Sequence, residues 1–216
     1  MGATAVDESV LAQLRGRIQA LEGGPSRLGV PVSPALDGLV ALRTGGTYAV
    51  DTASLAMALA AGASAAGDWV GFVGWSDFGV EAAHQLGVDL TRTVLVPSPG
   101  EHWVEVCAAL VDVLRVVVLR PAGRIDPKSA SVLEARLRAR SAVLVVHGEW
   151  PRCDATITAT ETRWEGLGQG YGRLRRHRAS VAVRGTGRPR AGEVVLPFGE
   201  DAEGVSWGAG SGSVAG

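Results

Sequence analysis

Lysine is nearly absent from this sequence: of 21 basic residues, Lys128 alone is a lysine. That scarcity bears on nucleotide chemistry, because a phosphate loop needs glycines that wrap the phosphates, then a Lys for the β/γ oxygens and a Ser/Thr for Mg²⁺. Lys128 follows Pro127 and has no glycine-rich loop before it, and GxxxxGK[ST] occurs nowhere. Cysteine is equally sparse. Cys107 and Cys153 form no CxxC pair and no Cys/His cluster, which excludes a disulfide scaffold and reads as two unpaired thiols in a reducing compartment. Net charge is also missing, at −1, which argues against a globally basic nucleic-acid binder but leaves room for a local patch. No uncharged apolar run reaches the ~20 residues of a membrane span; Thr52 to Gly67 comes nearest and is mostly Ala and Gly. Asp7 and Glu8 precede the first periodic segment, against the order of a secretory signal, so a soluble cytoplasmic protein is expected.

What remains is ample for a core: 216 residues, 46% of them apolar and 20% charged. Residues 7 to 21 carry an amphipathic stripe of Leu11, Leu14, Ile18 and Leu21, and Gly23-Gly24-Pro25 stops that helix. After a short helix near Pro34, strand and helix signals alternate. Strands are expected at Thr47–Val50, Trp69–Trp75, Thr93–Val96, Val116–Leu119 and Ala142–Val146. Helices are expected at Thr52–Ala66, Val80–Leu86, His102–Leu114 and Ser129–Arg140. Such alternation predicts an α/β fold with a mostly parallel sheet flanked by helices. After Trp150 the helices stop, and Ala155–Trp164, Ala179–Arg184 and Glu193–Leu196 predict antiparallel strands at the sheet edge. The expected division is a helix and linker at 1–25, a degenerate core at 26–198, and a Gly-rich, disordered tail at 199–216 that is acidic at its start and carries Trp207.

Two strand ends speak against a nucleotide motor. Ala49-Val50-Asp51-Thr52-Ala53 joins the first core strand to its helix with no room for a phosphate cradle. Val116-Val117-Val118-Leu119 ends in Arg120, where an acid would be needed to help hold Mg²⁺. Arg120 is expected to be solvated, and Asp77 to be a lone acid. No cofactor and no metal are expected, and His84, His102, His147 and His177 lack ligand spacing.

Certain segments nevertheless resemble the RecA ATPase core: Leu36-Asp37 before Gly45-Gly46, the stretch Gly71 to Leu90 ending in Leu86-Gly87-Val88-Asp89-Leu90, and the helix and aliphatic strand of Glu101 to Leu119. The resemblance covers residues 8 to 184. It is closer to the RecA-like ImuA family, whose tail is similar to Arg163-Trp164-Glu165-Gly166-Leu167-Gly168 and Gly170-Tyr171-Gly172-Arg173-Leu174-Arg175. With its Walker A loop lost, the chain resembles the actinobacterial ImuA-prime branch. That resemblance implies a non-catalytic accessory factor in mutagenic translesion synthesis, working in the cytoplasm and recruited to damaged nucleoid DNA. The partners it implies are an ImuB-like, catalytically inactive Y-family polymerase and, indirectly, an error-prone replicative-type polymerase, in a hetero-oligomer. ATP-driven filament formation is not carried over.

Two surfaces are candidates for binding. Arg163, Trp164, Arg173, Arg175, Arg176 and Arg178 form a basic stretch that suits a partner protein or DNA, or is a solvated face. The stripe of Leu11, Leu14, Ile18 and Leu21 either packs on its own domain or contacts ImuB or a second copy. The rival reading is a cryptic α/β hydrolase or an ATPase with an undetected nucleotide site. Ser76, Asp112 and His147 occur in hydrolase order, but Phe78 stands where a nucleophile elbow needs a small residue, and Asp112 lies within a helix.

Overall fold

The computed structural model describes residues 27–167 and 172–197; the stripe of Leu11, Leu14, Ile18 and Leu21 and the tail from Gly199 lie outside the described residues. Ten strands and four helices are described: β1 Gly29–Val30, β2 Leu42–Arg43, β3 Thr47–Val50, α1 Ala53–Ala65, β4 Val70–Val73, α2 Val80–Gln85, β5 Thr93–Val96, α3 Trp103–Val111, β6 Val116–Leu119, α4 Pro127–Arg140, β7 Val143–His147, β8 Ala155–Leu167, β9 Gly172–Gly185 and β10 Arg190–Pro197. β1 and β2 pair with each other, and the other eight form one sheet in the order β10-β9-β8-β3-β7-β6-β4-β5.

The parallel half follows from its residues. Val116, Val117, Val118 and Leu119 are fully buried, so β6 lies inside the sheet with helices on both faces. The core accordingly divides in two. One cluster gathers α1 and α2 with Val50, Phe72, Val118 and Val145, and the other gathers α3 and α4 with Val117, Leu119, Leu144 and Trp150. α1 is buried on nearly every side from Leu55 to Ser64, and its small residues allow close approach. A Cβ at Gly62 would stand 2.3 Å from the Val32 carbonyl carbon, so the segment carrying Val32 crosses α1 in direct backbone contact.

α4 is delimited by its own sequence. The Asp126 carboxylate accepts the Lys128 and Ser129 N–H groups at 3.0 and 2.9 Å, and Pro127 occupies the first turn. Arg138 and Arg140 complement the dipole in the last turn, and Ser141 leaves it at φ 54°.

One expectation needs correcting. The strands after Trp150 are not all antiparallel: β8 enters parallel to β3 (Tyr48 opposite Ala155, Val50 opposite Ile157), and only then do β9 and β10 run antiparallel. Asp154 fixes that entry. Its carboxylate accepts the Thr47 N–H at 3.0 Å and an Arg27 N–H at 2.5 Å, tying the start of β8 to the start of β3. The strands of this region are also longer than expected. β8 and β9 run as a hairpin far beyond the three residues of β8 that pair with β3, so they form an arm past the carboxyl edge of the parallel strands.

Candidate functional site

Parallel strands deliver their carboxyl ends to one edge, the usual place for a site in an open α/β sheet. Four such ends meet here. At the end of β3, Asp51 and Thr52 make the whole connection to α1, and the side chains of both are committed. Thr52 caps the helix by accepting the Leu55 N–H at 3.3 Å. Both Asp51 carboxylate oxygens accept the Ala159 N–H, at 3.0 and 3.1 Å, beside the irregularity between Ala159 and Glu161 in β8.

At the end of β4, Gly74 turns the chain at φ +81°. A Cβ there would stand 2.1 Å from the Arg120 carbonyl oxygen, which makes glycine obligatory. The turn buries Trp75, edge-on to Phe72 at 6.0 Å, and leaves Ser76 and Asp77 exposed. At the end of β6, Arg120 reaches across to Asp77, 2.5 Å from Nη1 to Oδ1, and its guanidinium lies 5.5 Å from the Trp75 ring centroid. At the end of β7, His147 stacks on Trp75 with centroids 5.3 Å apart and planes 22° apart, and its Nε2 lies 3.3 Å from the Asp51 carbonyl oxygen. Arg120, Trp75 and His147 thus form one continuous layer. Arg120 keeps part of its side chain in solvent, as expected, but Asp77 is not a lone acid: the two are paired.

The arm closes the far side. Trp164 and His177 face each other across β8 and β9 and stack at 4.2 Å with planes 12° apart. Burial pushes the His177 imidazole below its ordinary value, which favours the neutral ring. Between arm and layer lies a cleft of about 400 Å³, floored by Met57, Leu86 and Leu196 and lined also by Trp75, Arg120, His147, Trp164 and His177. Trp75 Nε1 and His147 Nδ1 are buried without a hydrogen-bond partner among the described residues. This surface suits an apolar or aromatic group; among the described residues no three His, Cys, Asp or Glu side chains gather as a metal set.

The basic stretch is divided by the pleat. Arg163 is opposite Arg178 and Trp164 is opposite His177, so Arg163, Arg176 and Arg178 lie on one face of the arm and Trp164 on the cleft face. Among the described side chains, Trp164 therefore does not share a face with Arg163, Arg176 and Arg178. Arg178 is further committed to Glu165 and Glu193, at 3.0 and 3.1 Å. Arg173 and Arg175 stand at the start of β9, with side chains outside the described residues. The hydrolase constellation is not assembled either. Asp112 follows α3 toward the amino end of β6, paired with Arg136 and Arg140, whereas His147 ends β7 at the opposite edge.

Site and fold together define an open α/β protein whose carboxyl-edge cleft is lined by its own stacked side chains. A family model described as the MT3502 N-terminal domain matches residues 35–152, and the chain belongs to that family. It is also similar to the uncharacterised protein Rv3395c of Mycobacterium tuberculosis, with 34% identity over 163 residues, 73% of this chain and 78% of the relative. Among the described residues no helix is long and apolar enough to cross a membrane.

Proposed function

We propose that this chain is a non-enzymatic, RecA-like accessory protein of an error-prone translesion synthesis complex. It binds an ImuB-like, catalytically inactive polymerase and, through it, an error-prone replicative-type polymerase at damaged nucleoid DNA. The observation that carries the reading is the β3–α1 connection. Asp51 and Thr52 span it alone, and their side chains hold Ala159 and Leu55. A phosphate cradle needs free backbone N–H groups in a glycine-rich loop at this place. The second strand end supports the same reading, because Arg120 is locked to Asp77 and Trp75 at the position where a metal-assisting acid would be required. A mycobacterial relative is consistent with the actinobacterial branch that the sequence resembles.

Two measurements on the full chain test this. Calorimetric titration with ATP and Mg²⁺ is expected to give no binding heat, and saturable binding would overturn the pseudo-ATPase reading. Co-purification with the carboxyl-terminal region of an ImuB-like polymerase is expected to retain the chain, with cross-links locating the contact. Failure to co-purify with a folded partner would overturn the partner.

A further inference from the structure

The carboxyl-edge cleft carries chemistry that the accessory-factor reading does not use. Its volume of about 400 Å³ lies within the range of small-molecule sites, and so does its make-up of apolar floor, aromatic walls and few charged groups. Among the described residues that line it, two are charged, Arg120 and Asp77. They are paired, so their charges cancel, and burial keeps His177 toward its neutral form. A carboxylate or phosphate entering the cleft would meet no spare counter-charge, and losing its hydration there is costly. The charge balance favours a neutral ligand.

The ion pair does not exhaust Arg120. A guanidinium has five N–H donors in one plane, and Nη1 alone is used on Asp77. Nε and Nη2 have no partner among the described residues, and the side chain is 39% exposed. Donors whose charge is already balanced take a neutral acceptor, and a carbonyl oxygen with its two lone pairs is one. Trp75 adds a second donor on the same wall. It is 2% exposed, and its indole N–H has no partner among the described residues. A buried donor left unpaired carries a desolvation cost that an acceptor removes. The aromatic walls set the shape of the rest. Trp164 lines the cleft with 45% of its surface open, and the Arg120 guanidinium lies 5.5 Å from the Trp75 ring centroid. Flat aromatic and guanidinium surfaces take a flat partner by stacking.

We propose that the cleft binds a neutral planar ring system carrying a carbonyl oxygen, stacked against Trp164, with that oxygen accepting from Arg120. This inference goes beyond the accessory-factor reading and does not depend on it. ATP is anionic and its adenine carries no carbonyl oxygen, so the ATP titration and the one below succeed or fail separately.

The probe is 2-quinolinone, a planar two-ring lactam, titrated into the full chain. Binding is read from the indole N–H resonances in ¹⁵N–¹H NMR, assigned by single Trp→Phe substitutions. Saturable shifts are expected at Trp75 and Trp164, with Trp69, Trp103 and Trp150, which do not line the cleft, unmoved. Indole offers a comparable ring without the carbonyl oxygen, and 2-naphthoate replaces the carbonyl by a charge. Each is expected to bind at least about tenfold more weakly, through a lost hydrogen bond or an uncompensated charge. Arg120→Met keeps the length of the side chain, removes its donors, and is expected to bring 2-quinolinone down to the level of indole. Ala82→Trp fills the cleft from α2 and is expected to abolish the shifts. No saturable shift at Trp75 and Trp164 in the wild type overturns the proposal. So does indole binding as tightly as 2-quinolinone, which would make the cleft a seat for a partner's aromatic side chain, and so does 2-naphthoate binding as tightly, which would make it an anion site. If Arg120→Met moves the control resonances, the wild-type comparison of 2-quinolinone with indole decides, and equal affinities overturn the proposal.

Discussion

The two halves of the sheet are held in different ways. Strands β4, β6 and β7 are covered on both faces, and side chains such as Leu144 and Val117 are fully buried. The arm of β8, β9 and β10 is covered on one face. Its other face is fixed by polar cross-strand contacts, in which Arg178 is clasped by Glu165 and Glu193. Apolar burial gives stability in proportion to area, whereas half-exposed ion pairs contribute little. The parallel half is therefore the stable frame, and the arm is the part that can respond to pH, salt or a partner. The cleft lies where they meet.

The largest effect should separate them directly. Leu144→Ala removes a fully buried side chain between the sheet and the α3–α4 layer and is expected to cost about 2–5 kcal/mol in denaturant unfolding. Arg178→Ala in the arm should cost far less, because its guanidinium and both carboxylates are over a third exposed. Equal costs would break the distinction between frame and arm.

Acid should act on the halves at different pH. Burial lowers the His177 pKa, so the unfolded chain binds that proton first. Stability from the neutral ring is present above about 6.5 and is lost as pH falls through the lowered value. Asp112 belongs to the frame, where its hydrogen bond with Arg136 lowers its pKa from 3.8 to about 2. Its contribution is present above the ordinary carboxylate value and is lost as pH falls from 3.8 toward 2. Melting temperature against pH should therefore show two losses, the upper removed by His177→Gln and the lower reduced by Asp112→Asn, with Asp89 and Asp126, also lowered by their hydrogen bonds, sharing it. A curve flat between pH 7 and 5 would contradict the burial of the neutral His177 ring.

The frame was legible in the sequence and the site was only half so. Hydrophobic runs such as Val116–Leu119 and Thr47–Val50 fix strand positions to the residue, because a fully buried strand tolerates no polar interruption. Asp51 and Thr52 showed the closed connection for the same local reason. The layer of Arg120, Trp75 and His147 was not legible. It joins residues from three strand ends that only the strand order brings together. Nor were the arm's true ends legible: β8 runs past the expected Trp164 to Leu167, and β9 starts at Gly172, ahead of the expected Ala179. Period-two alternation was available as a signal, and applied to Arg163-Trp164-Glu165 it separates the aromatic from the cations.

The smallest effect concerns what the arm touches. If its cationic face binds duplex DNA, each phosphate contact contributes about −0.9 to the slope of log affinity against log salt. Arg178 has spent its guanidinium on Glu165 and Glu193, so Arg178→Gln should leave that slope unchanged. Arg163→Gln, on the same face, should reduce its magnitude by about one contact, and replacing Arg176 as well should flatten it further. The contrast between neighbours is the informative part. Non-specific loss of positive charge would make the two single variants equal, whereas binding by a defined face makes only the uncommitted arginine count. A slope unchanged across the whole set removes DNA as a ligand of the arm and leaves a partner protein or solvent on that face.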